Sequence, residues 1–520
     1  MTEKEKRALI SVTDKEGLVP FAKKLLERGY DIVASGGTAR ALESGGVPVM
    51  QISDLTGFPE IMDGRVKTLH PKVHGGILAD RGNPEHMEKA RELEISMIDL
   101  VVVNLYRFRE AAGDSTLGER EVAEEIDIGG PTLIRSAAKN YHSVAVVVDP
   151  DDYRRVIEEI DAGTGEIGLE TRRRLASKAF HHTAFYDAAI SAYFDGLVTA
   201  EEETPEEIVR AYRRVRSLRY GENPHQKAAL YELDGASDFT GLEQLQGKEL
   251  SFNNIQDLYA AFMIARDMGE GSCAIVKHTN PCGAAVCETA AASFARARKT
   301  DPVSAFGSVV AIHGAVDADT ARLLTEIFLE VVVARGFDGG AIDLLSRKKN
   351  LRLVTLPPEQ WDRSMAGWTG REAGDQLLLQ ERDEGFPELD GWRLVTGRTP
   401  TEREEKAMRL AWRIVKHVRS NAILLCDHEG TVGVGAGQMS RVDSCRIAVD
   451  KARREGLETA GTAAASDAFF PFPDGVEVLA HAGVTAIVQP GGSMRDDEVT
   501  QAAERLGITM VLTGRRHFKH

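Results

Sequence analysis

Short β-branched runs alternate with amphipathic stretches through the first 150 residues. Ala8 to Val12 and Tyr30 to Ser35 read as strands, and between them Leu18, Phe21, Ala22 and Leu25 recur at the spacing of a helix with one buried face. Ile98 to Leu105 and Ser143 to Asp149 are continuous apolar runs, the pattern of strands covered by helices on both sides. The segment therefore predicts an α/β fold with a doubly wound parallel sheet, in which ligands bind at the carboxyl ends of the strands. A long helical pattern follows from Thr171 to Phe194, and the acidic stretch Ala200 to Glu207 marks the domain boundary. This gives a first domain over 1–198, with its core in 1–150, and a second over 199–520.

The second domain carries a weak internal echo. Ile275-Val-Lys-His278 with Asn280 recurs as Ile414-Val-Lys-His417 with Asn421, and Ser304-Ala-Phe306 as Asp467-Ala-Phe469. Two matches in the same order predict a duplicated α/β subdomain. Leu356 to Trp392, rich in Gly, Pro and charge, reads as a long loop or insertion.

The chain has 520 residues, 42% hydrophobic and 28% charged, enough to bury substantial cores. Its 64 Lys and Arg against 80 Asp and Glu leave a formal charge of -16, which argues against nucleic acid or an anionic membrane as partner. An anionic substrate must then be met by locally placed cations. Five cysteines without a Cys-x-x-Cys suggest neither a disulfide framework nor a zinc cluster, and a reducing cytoplasm is expected. No apolar run approaches the roughly 20 residues of a membrane span, and Ala8 to Val12 is too short for a signal-peptide core.

Chemistry concentrates at a few places. Ser35-Gly36-Gly37-Thr38 joins a strand to a helix, where backbone N–H groups make an anion site suited to phosphate; Ser11, Thr13, Asp14 and Lys15 face the same crevice. Asp63 to Gly76 packs Arg65, Lys67, His70, Lys72 and His74 among glycines and a proline. Asn104 and Tyr106 end an apolar strand, and Asp127-Ile-Gly-Gly130 opens a helical pattern bearing Lys139. In the second domain Arg219-Tyr220-Gly-Glu-Asn-Pro-His-Gln226 is dense in hydrogen-bonding groups. Lys277-His278 stands where a strand breaks into a turn, an arrangement suited to acid–base work. Residue chemistry alone leaves open whether that pair or Lys416-His417 is the active copy. A zinc deaminase is the obvious rival, but its Pro-Cys-x-x-Cys element is missing, so no metal is expected.

Together with Lys178-Ala-Phe-His-His-Thr-Ala184, Gly64 to Pro71, Gly435 to Arg441 and Ser466 to Phe472, these segments form eight motifs in order over nearly the whole chain. The sequence resembles the AICAR transformylase/IMP cyclohydrolase family. The resemblance implies a methylglyoxal-synthase-like first domain that closes formylated AICAR (FAICAR) to IMP with loss of water. It implies a second domain of two cytidine-deaminase-like subdomains without zinc, moving a formyl group from 10-formyltetrahydrofolate to AICAR. A homodimer with a shared transformylase site is implied too, and a monovalent cation there is left open.

Carried over motif by motif, the catalytic set is Lys277, His278 and Asn421 for formyl transfer and Lys67, Asp127, Lys139 and Tyr106 for cyclisation. Ser11, Thr13, Lys15, Ser35, Gly36, Gly37, Thr38, Arg65, Thr68 and Asn104 would hold substrate in the first domain. Arg219, Tyr220, Gly307, Glu330, Arg441, Phe469 and Arg516 would do so in the second, the arginines meeting phosphate and carboxamide. Three positions depart from the pattern: Arg107 and Arg335 stand where the family has proline, and Asp375 replaces the second of a Gly-Gly pair. The alternatives are a nucleotide-sensing first domain without chemistry and a monofunctional formyltransferase with a decayed first domain.

Overall fold

The structure is a computed structural model that describes residues 6–62, 66–163, 165–198, 204–235, 239, 241–386 and 391–520. The chain divides into two units, residues 1–213 with 233–235, and residues 214–232 with 236–520. The sequence-predicted boundary after residue 198 opens on residues 199–203, outside the described residues.

In the first unit β1 (Lys6–Ser11), β2 (Tyr30–Ala34), β3 (Met50–Gln51), β4 (Leu100–Val103) and β5 (Ala145–Val147) form one sheet in the order β3-β2-β1-β4-β5, every pair parallel. Alternate residues feed the two faces. Ala8, Ile10, Leu100 and Val102 join one core, while Leu9, Val101 and Val103 join the other. The helix Leu18–Leu26 buries the four predicted residues, with Phe21 stacked on Tyr153 at 4.1 Å between ring centroids. Because β1 leads to β2 on one side and β4 on the other, the strand order reverses between β1 and β4. A crevice opens there at the carboxyl edge.

A hairpin of β6 (Tyr212–Leu218) and β7 (Ala228–Leu233) follows. The second unit then holds two six-stranded sheets. The first comprises β8 (Glu243–Gln246), β9 (Ser272–Lys277), β10 (Asn280–Val286), β11 (Ser308–Val316), β12 (Leu329–Phe337) and β13 (Arg352–Thr355), ordered β10-β9-β11-β12-β13-β8. After a separate hairpin, β14 (Trp368–Ala373) with β15 (Gln376–Glu381), come β16 (Arg393–Leu394), β17 (Ile423–Cys426), β18 (Thr431–Gly435), β19 (Ala463–Ser466), β20 (Ala486–Gln489) and β21 (Thr509–Leu512). They are ordered β18-β17-β19-β20-β21-β16. Strand directions match position for position: β11-β12-β13 and β19-β20-β21 run parallel and the outer pairs antiparallel. The duplication is therefore real.

The letter echoes that suggested it do not overlay. Ile275 to His278 ends strand β9, whereas Ile414 to His417 closes the helix Glu402–Val415, whose topological counterpart is the helix Phe252–Met268. Ser304 to Phe306 precedes β11, and Asp467 to Phe469 follows its counterpart β19. Of the two readings of 356–392, a long loop or an insertion, the loop is corrected, since the segment contains the helix Pro358–Asp362 and the β14–β15 hairpin, and it stands between the strands of the two sheets. Among the described residues no helix is long and apolar enough to cross a membrane.

Candidate active sites

In the first unit a cleft of about 900 Å³ opens at the carboxyl edge of the sheet. Ser11, Thr13, Lys15, Ser35, Gly37, Thr38, Lys67, Thr68, Asn104, Tyr106 and Asp127 line it, which brings together most of the residues expected there. Each loop is fixed by its own chemistry. Thr38 Oγ1 bonds both the N–H and the carbonyl of Val12, and Asn104 Oδ1 takes the N–H groups of Thr13 and Asp14 at 2.6 and 3.0 Å. Those two side chains thus brace the crevice, leaving the first N–H groups of the helix Gly36–Ser44 to an anion. Gly36 has φ 54, and a Cβ there would come 3.0 Å from Lys67 Nζ, so the ammonium reaches this loop.

Asp127 precedes the helix Gly129–Lys139, and its Oδ1 accepts from Gly130 N at 2.8 Å. The two glycines let neighbours approach. A Cβ at 129 would meet Thr68 Oγ1 at 2.7 Å, and one at 130 would meet Asp127 Cγ at 2.9 Å and Leu105 Cδ2 at 2.6 Å. Burial pushes the Asp127 carboxyl above the usual carboxylate range, against the opposing pull of the Gly130 N–H and Lys67. A raised carboxyl is the better proton acceptor near neutrality. Burial, then the charges of Asp127 and Glu125, push the Tyr106 phenol up.

Of the expected residues Gly36 does not line this cleft itself, though Ser35, Gly37 and Thr38 beside it do. Lys139 is exposed at the far end of an 11-residue helix, on the order of 15 Å from the end that meets Asp127. Arg65 lies outside the described residues. Two unexpected residues are near the cleft. Arg120 lines the cleft from the helix Glu119–Glu124. Tyr186, on the helix Leu169–Val198, accepts from Asp127 N at 2.8 Å.

In the second unit Lys277 ends β9 and its Nζ donates to the Phe306 carbonyl at 2.9 Å, beside Gly307. Gly307 needs its φ of 74 to turn into β11. The register Ser308↔Leu329 sets Glu330 near the same edge, although its carboxylate is taken by Arg352 at 2.7 Å. His278 is exposed and follows directly, in a turn held by Asp257. Arg419 N donates to Asn280 Oδ1 at 3.0 Å, bringing the segment that carries Asn421 to this turn. Asn421 itself donates to the Met439 carbonyl and accepts from Arg441 Nη2 at 2.7 Å.

Arg441 was expected to meet the nucleotide. It is buried, and its terminal nitrogens bond Asp467, Ser466 and Asn421, so within this chain it holds Asn421 in place. Asp467, fully buried, gathers the region: it also accepts from Ser420 Oγ, and its carbonyl takes His517 N, next to Arg516, while Phe469 stands half-buried two residues on. Arg516 lies over the Phe518 ring and Arg219 over the Tyr220 ring, both exposed arginines. Asn253 Nδ2 donates to the Glu222 carbonyl, which brings the Arg219 loop to the first turn of the helix Phe252–Met268.

Lys416 and His417, the other sequence candidates, are buried on Asp267, at 3.2 and 2.9 Å. They are structural. Of the departures, Arg107 stands just before the helix Phe108–Gly113 and its side chain pairs with Glu110, while Arg335 is held by His313 Nε2 at 2.7 Å and by Asp362. Gly374-Asp375 forms the two-residue turn of the β14–β15 hairpin, with the positive φ on Gly374, so aspartate is accommodated. Among the described residues no group of His, Cys, Asp or Glu is arranged to hold a metal.

The family model of the AICARFT/IMPCHase bienzyme matches residues 137–451, and that of the MGS-like domain matches residues 17–132. A protein of Halalkalibacterium halodurans named bifunctional purine biosynthesis protein PurH is 50% identical, covering 99% of this chain and all of its own. The chain belongs to the AICARFT/IMPCHase bienzyme family. A second protein of that printed name, from Persephonella marina, is 49% identical over the same share of both chains. The solved chain of ForH is 37% identical over 36% of this chain and 99% of its own, at a TM-score of 0.33. The enzyme is thus a bifunctional AICAR formyltransferase and IMP cyclohydrolase of purine biosynthesis, and the sensor and decayed-domain readings are not favoured.

Proposed function

We propose that the cleft of the first unit, within residues 1–198, performs the cyclisation and that Lys277-His278, within residues 199–520, performs formyl transfer from 10-formyltetrahydrofolate. The observation that carries the reading is the convergence at one sheet edge of a helix start open to an anion, the Lys67 ammonium and a half-buried carboxylate at Asp127.

In the cyclisation Lys67 polarises the formyl oxygen of FAICAR while Asp127 takes the carboxamide proton. The amide nitrogen then attacks the formyl carbon and water leaves. Tyr106 orients the reacting groups, and the helix N-terminus at Ser35 to Thr38 neutralises the phosphate. In formyl transfer the AICAR amine attacks the formyl carbon, His278 accepts the amine proton, and the bond to the folate nitrogen breaks as that nitrogen is protonated. Lys277 and Asn421 steady the developing oxyanion. Gly307, Glu330, Arg219, Tyr220, Phe469 and Arg516 hold the nucleotide, and Arg441 acts through Asn421.

Phe306 and Met439, 59% and 96% exposed, flank Lys277 and Asn421. Large apolar side chains left open beside a half-built site support a homodimer in which the partner completes it. Free, unpaired cysteines support a cytoplasmic location. The decisive experiment is His278→Ala, which should slow formyl transfer by about 10²–10⁴-fold while leaving cyclisation of supplied FAICAR intact. Equal loss of both reactions would count against separate sites.

A further inference from the structure

The turn that presents His278 has an unfavourable backbone. φ is 52 at His278 and 61 at Thr279, both in the left-handed region, which a β-branched residue such as threonine rarely adopts. Two such residues in succession persist only where the surroundings fix them. One side chain does most of this. Asp257, half-buried on the helix Phe252–Met268, receives His278 N on Oδ2 at 3.3 Å and Thr279 N on Oδ1 at 2.7 Å. Asn280 closes the other side, donating to the His278 carbonyl and accepting from Arg419 N. Burial pushes the Asp257 carboxyl up, and the two amides with the nearby His278 and Lys277 pull it back toward the ionised form.

We infer that Asp257 is the positioning residue of formyl transfer, clamping two successive main-chain N–H groups so that the left-handed turn aims the His278 imidazole at the AICAR amine. The inference rests on the reading of His278 as the proton acceptor. Both carboxylate oxygens are engaged by the main chain, so Asp257 acts through the turn and not on substrate. Asparagine is a poor replacement: each N–H meets a different carboxylate oxygen, so in the same rotamer one of those positions becomes an NH₂ facing a donor.

The test uses the full chain carrying Asp257→Asn, alone and combined with Thr279→Gly, with formyl transfer and cyclisation of supplied FAICAR measured on the same samples. Asp257→Asn should lower the kcat of formyl transfer on the order of 10²-fold, with the KM for AICAR moved less than about threefold and cyclisation unchanged. Glycine adopts the left-handed conformation without a Cβ penalty, so the double variant should recover to within about tenfold of wild type. Formyl transfer by Asp257→Asn within about threefold of wild type would overturn the inference. A double variant no faster than the single would overturn it too, because the charge and not the hold on the turn would then matter. His278→Ala run alongside separates the failures: if it stays fully active, the site reading falls and takes this inference with it. If it is inactive while Asp257→Asn is fully active, the inference alone falls.

Discussion

Gly130→Ala perturbs the cyclisation site by a single methyl group. A Cβ at 130 would lie 2.6 Å from Leu105 Cδ2 and 2.9 Å from Asp127 Cγ, where ordinary carbon contacts are about 3.5–4.0 Å. Both neighbours must give by about 1 Å. Leu105 is buried and backed by the second core of the sheet, which limits its movement, whereas the Asp127 carboxyl, half-buried at the cleft, is displaced freely. Overpacking costs about 1–3 kcal/mol, and alanine returns up to about 1 kcal/mol of helix propensity. The net loss of stability is therefore small. Displacing a base by about 1 Å costs on the order of 10²-fold in rate, so activity and not folding should report the change. Cyclisation of FAICAR followed by absorbance, with a thermal melt as control, measures both. Cyclisation within about threefold of wild type, in a variant that melts near wild type, would refute the placement of Asp127 in the reaction.

Asp127→Asn should abolish most cyclisation, by about 10²–10⁴-fold, and yet stabilise the first unit at pH 7. A carboxyl raised by burial binds its proton more tightly folded than unfolded, so its ionised form is a net cost at neutral pH and stability rises as pH falls through the raised value; melting curves at pH 7 check the sign. Burial pushes His417 down to about 4, so the unfolded chain takes the proton first and stability should fall between about pH 6.5 and about 4. His417→Gln should flatten that slope in urea titrations without a comparable loss of formyl transfer. Arg441→Ala leaves the fully buried Asp467 without its cation, and a loss of about 3–5 kcal/mol in urea unfolding is expected.

Local pattern carried much of this fold. β-Branched runs located the strands of the first sheet, and Ser35 to Thr38 and Asp127 to Gly130 located the cleft, because glycines and capping residues act within a few positions of themselves. The duplication was found by the wrong matches. Topology repeats across the two sheets while the letters Ile-Val-Lys-His fall on a strand in one half and a helix end in the other. The hairpin at 368–381 was hidden because its strands are mostly exposed on both faces and lack alternation, although Gly374-Asp375 was a readable turn signal. Asp257 was invisible. Nothing in a mid-helix aspartate links it to a turn 21 residues on until folding brings the two together. The burial of Arg441 likewise depends on Asp467, a tertiary partner.

The central claim is two reactions at two separate sites, one in each unit. Purified Lys67→Ala protein supplied with AICAR and 10-formyltetrahydrofolate tests it in one run. FAICAR should accumulate at close to the wild-type rate of formyl transfer, with IMP formation slowed by at least about 10²-fold. Loss of FAICAR formation together with IMP, in a variant that still folds, would contradict the account.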